Sequence, residues 1–259
     1  MTPGDALPPG KLSIVVSAGA PISGATVEVF AVDPVTGAVL TNRPDKGLLG
    51  TAGPTDEAGV AVVELAGTFT GLIQVVASGS MSYPEPTAPE TIIALPDTLK
   101  LSSYVARYNH GDSLTLPVTL WTTLADAAAL ADSRGRNSAS PQARKLPDSL
   151  LVVDTLFARH LDPTATWSIR TVVPAALSAA ESLRDAAYVA FPDLALNQLA
   201  RDLALKGGVT PGQGITAPLL VAELIDDLEV DGQFNGMGKD GQLTTAGLPP
   251  YLLNPETTR

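Results

Sequence analysis

The sequence predicts an α+β protein in two domains, an antiparallel β-sandwich with Greek-key connections followed by an α-helical domain. Three observations carry this expectation. The stretch from Leu12 to Val118 holds short alternating runs punctuated by Gly, Pro, Asn and Asp. The apolar period then changes near Leu120, from two residues to between three and four. Strands come first and helices second instead of alternating, which points away from a parallel βαβ sheet.

Residues 1–11 are rich in Pro and Gly and read as a tether. "LSIVVSA" and "ATVEVFAV" are the first two strands, the second placing Ala25, Val27, Val29 and Ala31 on one face. "TNRPDKGLLGTAGP" reads as a long surface loop. "TDEAG" is a turn whose Gly59 suits a positive φ. "GVAVVEL", "GLIQVVASG", "ETIIAL", "LKLSSYV" and "SLTLPVT" supply the remaining strands of a domain spanning 12–118.

The second domain spans 119–259. Its first helix is the Ala-rich "TTLADAAALAD", with Thr123 and Asp126 spaced like a capping box. A polar loop, "SRGRNSASPQARKLP", separates it from a helix with Leu150, Val153, Phe157 and Leu161 on one face. Ala176, Ala180, Leu183 and Ala187 mark a further helix ended by Pro192. Leu196, Leu199 and Leu203 mark another, stopped by Gly207 and Gly208. Thr216 and Pro218 open the last, with Val221, Leu224, Ile225 and Leu228 at helical spacing.

Composition bounds the function. With 45% hydrophobic and 17% charged residues the 259-residue chain can bury a sizeable core. A net charge of −11 argues against a nucleic-acid partner, which needs clustered Lys and Arg. No apolar run approaches the ~20 residues of a membrane span, and "TPGDALPPG" after Met1 lacks the features of a signal peptide. The chain has no cysteine, so thiolate chemistry and disulfides are excluded.

Pro21, Ile22, Gly24, Ala25, Val27 and Val29, followed by Thr55, Asp56 and Gly59, resemble the carboxypeptidase regulatory-like domains, transthyretin-like sandwiches common on bacterial surface proteins. The likeness covers residues 12–80 well and 90–118 loosely. Thr119, Thr122, Leu124 and Ala125, with Asp231, Gly232, Asn235 and Gly236, are similar to secreted bacterial lipoproteins in which such a sandwich precedes a helical domain. The resemblance implies a non-enzymatic, surface-exposed or secreted module, extracellular or on the outer membrane. It further implies a protein or glycan partner, and a lipid anchor on a segment preceding this one.

The densest polar cluster is "ELIDDLEVDGQFNGMGKD". Read as a calcium loop, it offers oxygens from Asp227, Glu229, Asp231 and Asn235, with Gly232 at the sharp turn. Gly238 stands where a bidentate Glu belongs, and Asp240 is the substitute ligand. The alternative is that Gly232 ends a helix and the acids are solvated.

His110 and His160 lack a second ligand at metal spacing, no G-x-S-x-G elbow is present, and "KGGVTPGQG" lacks the Lys-Ser/Thr of a phosphate loop. A hydrolytic site would have to gather His160, Asp162 or Asp193 at the domain junction. Lys11 and Asn109, with Glu28 or Glu64, are the candidates for an isopeptide bond. Trp121, Trp167, Tyr83, Tyr104 and Tyr108 are the candidates for a sugar-stacking platform, with packing between the domains as the other role for Trp121.

Overall fold

The computed structural model describes residues 9–86, 88–136, 143–174, 184–210, 212 and 215–231. Within them the chain is α+β, with nine strands followed by four helices. The strands are β1 (Gly10–Ser17), β2 (Thr26–Ala31), β3 (Leu48–Ala52), β4 (Val60–Leu65), β5 (Gly71–Ser78), β6 (Ser82–Glu85), β7 (Ala88–Ala94), β8 (Leu101–Tyr108) and β9 (Ser113–Thr119). The helices are α1 (Leu120–Ser133), α2 (Leu146–Leu161), α3 (Arg184–Lys206) and α4 (Ala217–Asp231).

The strands form a three-stranded sheet in the order β4-β1-β9, a four-stranded sheet in the order β3-β2-β5-β8, and a β6-β7 ribbon. Alternation decides which side chains point inward. Val27, Val29 and Ala31 of β2 are fully buried with Ile14 and Val16 of β1 and Val75 and Ala77 of β5, in one apolar cluster fed by both larger sheets. The expected antiparallel pairing holds except at one place, since β1 and β9 run parallel, with Ile14 opposite Leu116. The long stretch of chain between the first and last strands makes that crossover possible.

β3 lies where a surface loop was expected. Its Gly50 reads as a breaker, yet a Cβ there would sit 2.7 Å from the Glu64 carbonyl oxygen, so the glycine permits close approach to β4. β6 was also missed, being four residues with Pro84 among them. At the expected turn, Gly59 has φ +74° and Asp56 Oδ1 accepts from Ala58 N (3.0 Å) and Val60 N (2.8 Å). Thr55 Oγ1 donates to Ile22 O (2.8 Å) and accepts from Ala25 N (3.0 Å), tying the TDEAG turn to the PISGA segment.

The strand-to-helix switch falls at Thr119. The capping box is Thr119 with Thr122, not Thr123 with Asp126: Thr119 Oγ1 accepts from Thr122 N (3.0 Å) while Thr122 Oγ1 accepts from Thr119 N (2.8 Å). Thr123 and Asp126 lie inside the helix, buried against β8. Pro192 stands inside α3 instead of ending a helix. Tertiary contacts of Asp193 and Asn197 hold the helix through a residue that would otherwise break it. Of the four alanine- and leucine-marked positions before it, Ala176, Ala180 and Leu183 lie outside the described residues.

The four-stranded sheet is covered on both faces. Its inner face joins the main cluster, which continues into Leu120, Leu124 and Ala127 of α1, Leu203 of α3 and Val221 and Leu228 of α4. Its outer face carries a second cluster, where Val32, Leu72 and Tyr104 pack on Ala125, Ala129, Leu150 and Val153. No described helix is long and apolar enough to cross a membrane.

Candidate functional site

The site is a cleft on the outer face of the four-stranded sheet, where α1 covers only part of it. Two registers of side chains cross that face: Glu28, Val76 and Ser102 in one row, Phe30, Gln74 and Tyr104 in the next. α1 adds Ala127, Leu130 and Ala131, α4 adds Ile225 and Glu229, and Lys100, Arg134 and Arg136 stand at the rim. Together they enclose about 440 Å³, the scale of a small-ligand site. Arg136 donates to the Glu229 carbonyl oxygen and so bridges the end of α1 to α4.

The back wall is a polar seam between α1 and β8. Ser102 O accepts from Thr122 Oγ1 (2.9 Å), Ser102 N donates to Thr123 Oγ1 (2.9 Å), and Tyr104 N donates to Asp126 Oδ1 (3.3 Å). The open edge of β8 is thereby satisfied by helix side chains instead of being left for another strand.

Ser102 Oγ donates to Asp126 Oδ2 (2.5 Å), and Arg170 donates from Nη1 to Asp126 and from Nε to Asp154 Oδ1 (2.7 Å). Ser168 Oγ completes Asp154 at 2.7 Å. Two carboxylates share one guanidinium, and Asp126 is the more buried of the two. Burial pushes its carboxyl up against the pull of Arg170, while the two acids keep Arg170 charged. Burial also raises the Tyr104 phenol well above its usual range, so it stays protonated.

These groups are committed to one another. The rim differs: among the described residues Glu28, Lys100 and Arg134 have no ion-pair partner, and Lys100 and Arg134 are exposed. The cleft thus presents uncommitted charge of both signs over an apolar floor.

A second polar knot lies under the start of α1. Asp193 Oδ1 accepts from Trp121 N (3.1 Å), and Oδ2 has no hydrogen-bond partner among the described residues. Burial drives this carboxyl up to about 8, outweighing the main-chain N–H groups of Trp121, Gly19 and Leu120. Beside it, Asn197 donates to Ala18 O (2.7 Å) and accepts from Tyr83 Oη (3.1 Å), pinning α3 to the β1–β2 turn.

The residues singled out from sequence are placed as follows. Asp227, Glu229 and Asp231 lie on α4, not in a loop, and Asp227 is fully buried. At about 100° per residue, Glu229 stands on the opposite side of α4 from Asp227. Asn235 and Asp240 lie outside the described residues, as do Gly232, Gly236 and Gly238. Among the described residues no group of three or more His, Asp or Glu is placed to hold a metal ion.

His160 is exposed in the last turn of α2, beside an apolar hollow of about 550 Å³ lined by Trp121, Leu124, Leu156, Phe157, Leu196 and Leu224. Asp162 accepts from Thr164 N (2.9 Å) and Oγ1 (2.7 Å), and Asp193 serves α1, so each acid has a local structural task. Lys11 lies inside β1 opposite Glu64, and both are exposed, as is Asn109. A buried Lys–carboxylate pair is not formed there. Tyr83, Tyr104 and Tyr108 are core residues, the Trp121 ring packs on Phe157 at 4.6 Å between centroids, and Trp167 packs half-buried against the second cluster, so the five aromatics make no shared platform.

Sequence reasoning missed the cleft. One signal was available: in "GLIQVVASG" the apolar positions do not alternate cleanly, and Leu72 and Val76 face away from Val75 and Ala77. A strand apolar on both sides has both faces covered, and Gln74 is the polar exception on the outer one.

No family model, no curated protein and no solved structure matches the chain.

Proposed function

We propose that the chain is a non-enzymatic binding module of the cell surface or secreted space, acting in adhesion, scaffolding or envelope assembly, with the cleft over the four-stranded sheet as its recognition surface. The observation that carries this reading is the division of labour around the cleft. Asp126, Arg170 and Asp154 are spent on holding α1 and α2 to the sheet, while half-buried Glu28 and exposed Lys100 and Arg134 line the cleft with no ion-pair partner among the described residues. Preformed walls with a few polar groups suit recognition of a ligand.

The likeness to carboxypeptidase regulatory-like domains supports the same reading, as does the Thr55 link between the two parts of that motif. On this reading the strands form a Greek-key sandwich domain and the helices a second domain built onto its outer face. The partner is a protein or glycan at the cell surface.

The test is binding of the labelled full chain to bacterial envelope fragments, compared with Gln74→Trp, which fills the cleft from an outward-facing position. The reading expects at least a tenfold loss on substitution. Undiminished binding, or turnover of a hydrolase substrate panel that Gln74→Trp blocks, would overturn it.

A further inference from the structure

The chemistry of the cleft narrows what it takes. Its volume of about 440 Å³ lies at the small end of ligand sites, suited to one or two ring-sized units and not to a folded partner. Lys100 and Arg134 supply two cations at the rim, and neither has an acid within ion-pair distance among the described residues. Arg offers a planar fork that matches a carboxylate, and Lys a mobile point charge.

Glu28 faces the same space, also without an ion-pair partner among the described residues. A dianion such as phosphate would be repelled by it, whereas hydroxyl groups would donate to it. The Gln74 amide can both donate and accept beside it. The floor of Phe30, Val76, Ala127, Leu130 and Ala131 is apolar and fits the C–H face of a ring. A purely apolar ligand would leave Glu28 and Gln74 desolvated without hydrogen bonds, at a cost.

We propose that the cleft binds an acidic sugar, a uronic acid unit whose carboxylate lies between Lys100 and Arg134 and whose hydroxyls meet Glu28 and Gln74. This rests on the cleft being the recognition surface, and it goes further by giving the ligand its chemical class. The net charge of −11 does not oppose it: acids farther than about 8–10 Å are screened at physiological salt, and of the acids lining the cleft Asp126 is held by Arg170, while Glu28 and Glu229 are set against Lys100, Arg134 and Arg136.

The experiment is calorimetric titration of the full chain with D-glucuronate and D-galacturonate, with D-glucose and inorganic phosphate as controls, repeated on Lys100→Ala and Arg134→Ala. Both positions are exposed, so the variants keep the fold, which circular dichroism verifies. The uronates are expected to bind at least tenfold more tightly than glucose and phosphate, and each variant to lose most of that preference. A polygalacturonate chain that competes with the monosaccharide would place the unit in a polymer; free sugar alone would place it in solution. Either result sustains the class.

Equal affinity for glucose, tighter binding of phosphate, no heat with either uronate at millimolar concentration, or variants that bind like the parent would overturn the proposal. Should Gln74→Trp still abolish envelope binding when uronates fail, the recognition surface stands and only its ligand class falls.

Discussion

Replacing Asp193 with Asn should flatten the pH dependence of stability. Asp193 is fully buried, receives Trp121 N at 3.1 Å on one oxygen, and leaves the other without a hydrogen-bond partner among the described residues. Its carboxyl is raised from 3.8 to about 8 in the folded chain, so the native state holds a proton that the unfolded state releases. The contribution to stability is fully present below the unfolded value of 3.8, declines as pH rises, and is lost above about 8. Each pH unit in that window is worth up to roughly 1.4 kcal/mol, so moving from pH 5 to pH 7 costs roughly 2–3 kcal/mol from this group alone. Asn keeps the acceptor for Trp121 N and cannot ionise.

Urea unfolding of both proteins at pH 5, 6 and 7 isolates the difference, since every other titrating group is shared. The parent should lose stability relative to Asp193→Asn as pH rises, with the variant equal or more stable at pH 7. Parallel profiles would refute the reasoning and show that the N–H groups at the start of α1 hold an ionised carboxylate.

Three further outcomes follow from the packing. Thr55→Val removes a buried hydroxyl that serves Ile22 O and Ala25 N, and should cost about 1–3 kcal/mol in urea unfolding, against near-neutrality for the exposed Thr51→Val. Arg170→Met leaves Asp126 and Asp154 buried without their cation; a loss of about 3–5 kcal/mol is expected near neutral pH, partly recovered by adding Asp126→Asn. For the acidic segment, melting in millimolar calcium and then in excess chelator should coincide, because Asp227 and Glu229 stand on opposite sides of α4. A rise in Tm that Asp231→Ala abolishes would instead return these acids to a metal site.

The β half was largely legible because its strands alternate and their turns carry chemistry. Ala25, Val27, Val29 and Ala31 are all fully buried, and the Asp56–Gly59 turn has the backbone its residues require. β3 was hidden because a glycine needed for close approach looks the same in sequence as a glycine that breaks a strand. Pro192 misled for a related reason: local propensity says stop, and only the long-range contacts of Asp193 and Asn197 say continue.

The site was less legible than the fold. Glu28, Gln74 and Arg134 are ordinary polar residues 46 and 60 positions apart along the chain, and only strand register and the placement of α1 put them round one cavity. Asp126 looked like half of a cap; its burial beside Arg170 depends on a loop far along the chain, which no spacing rule reveals.

The claim that the cleft is the recognition surface is tested most directly by amide shift mapping of the isotope-labelled chain as solubilised envelope material is added. The account predicts that the perturbed amides cluster on Glu28, Gln74, Lys100, Ser102 and Arg134 and that Gln74→Trp removes the response. Perturbations confined to other surfaces, such as the hollow around Trp121 and Phe157, would contradict it.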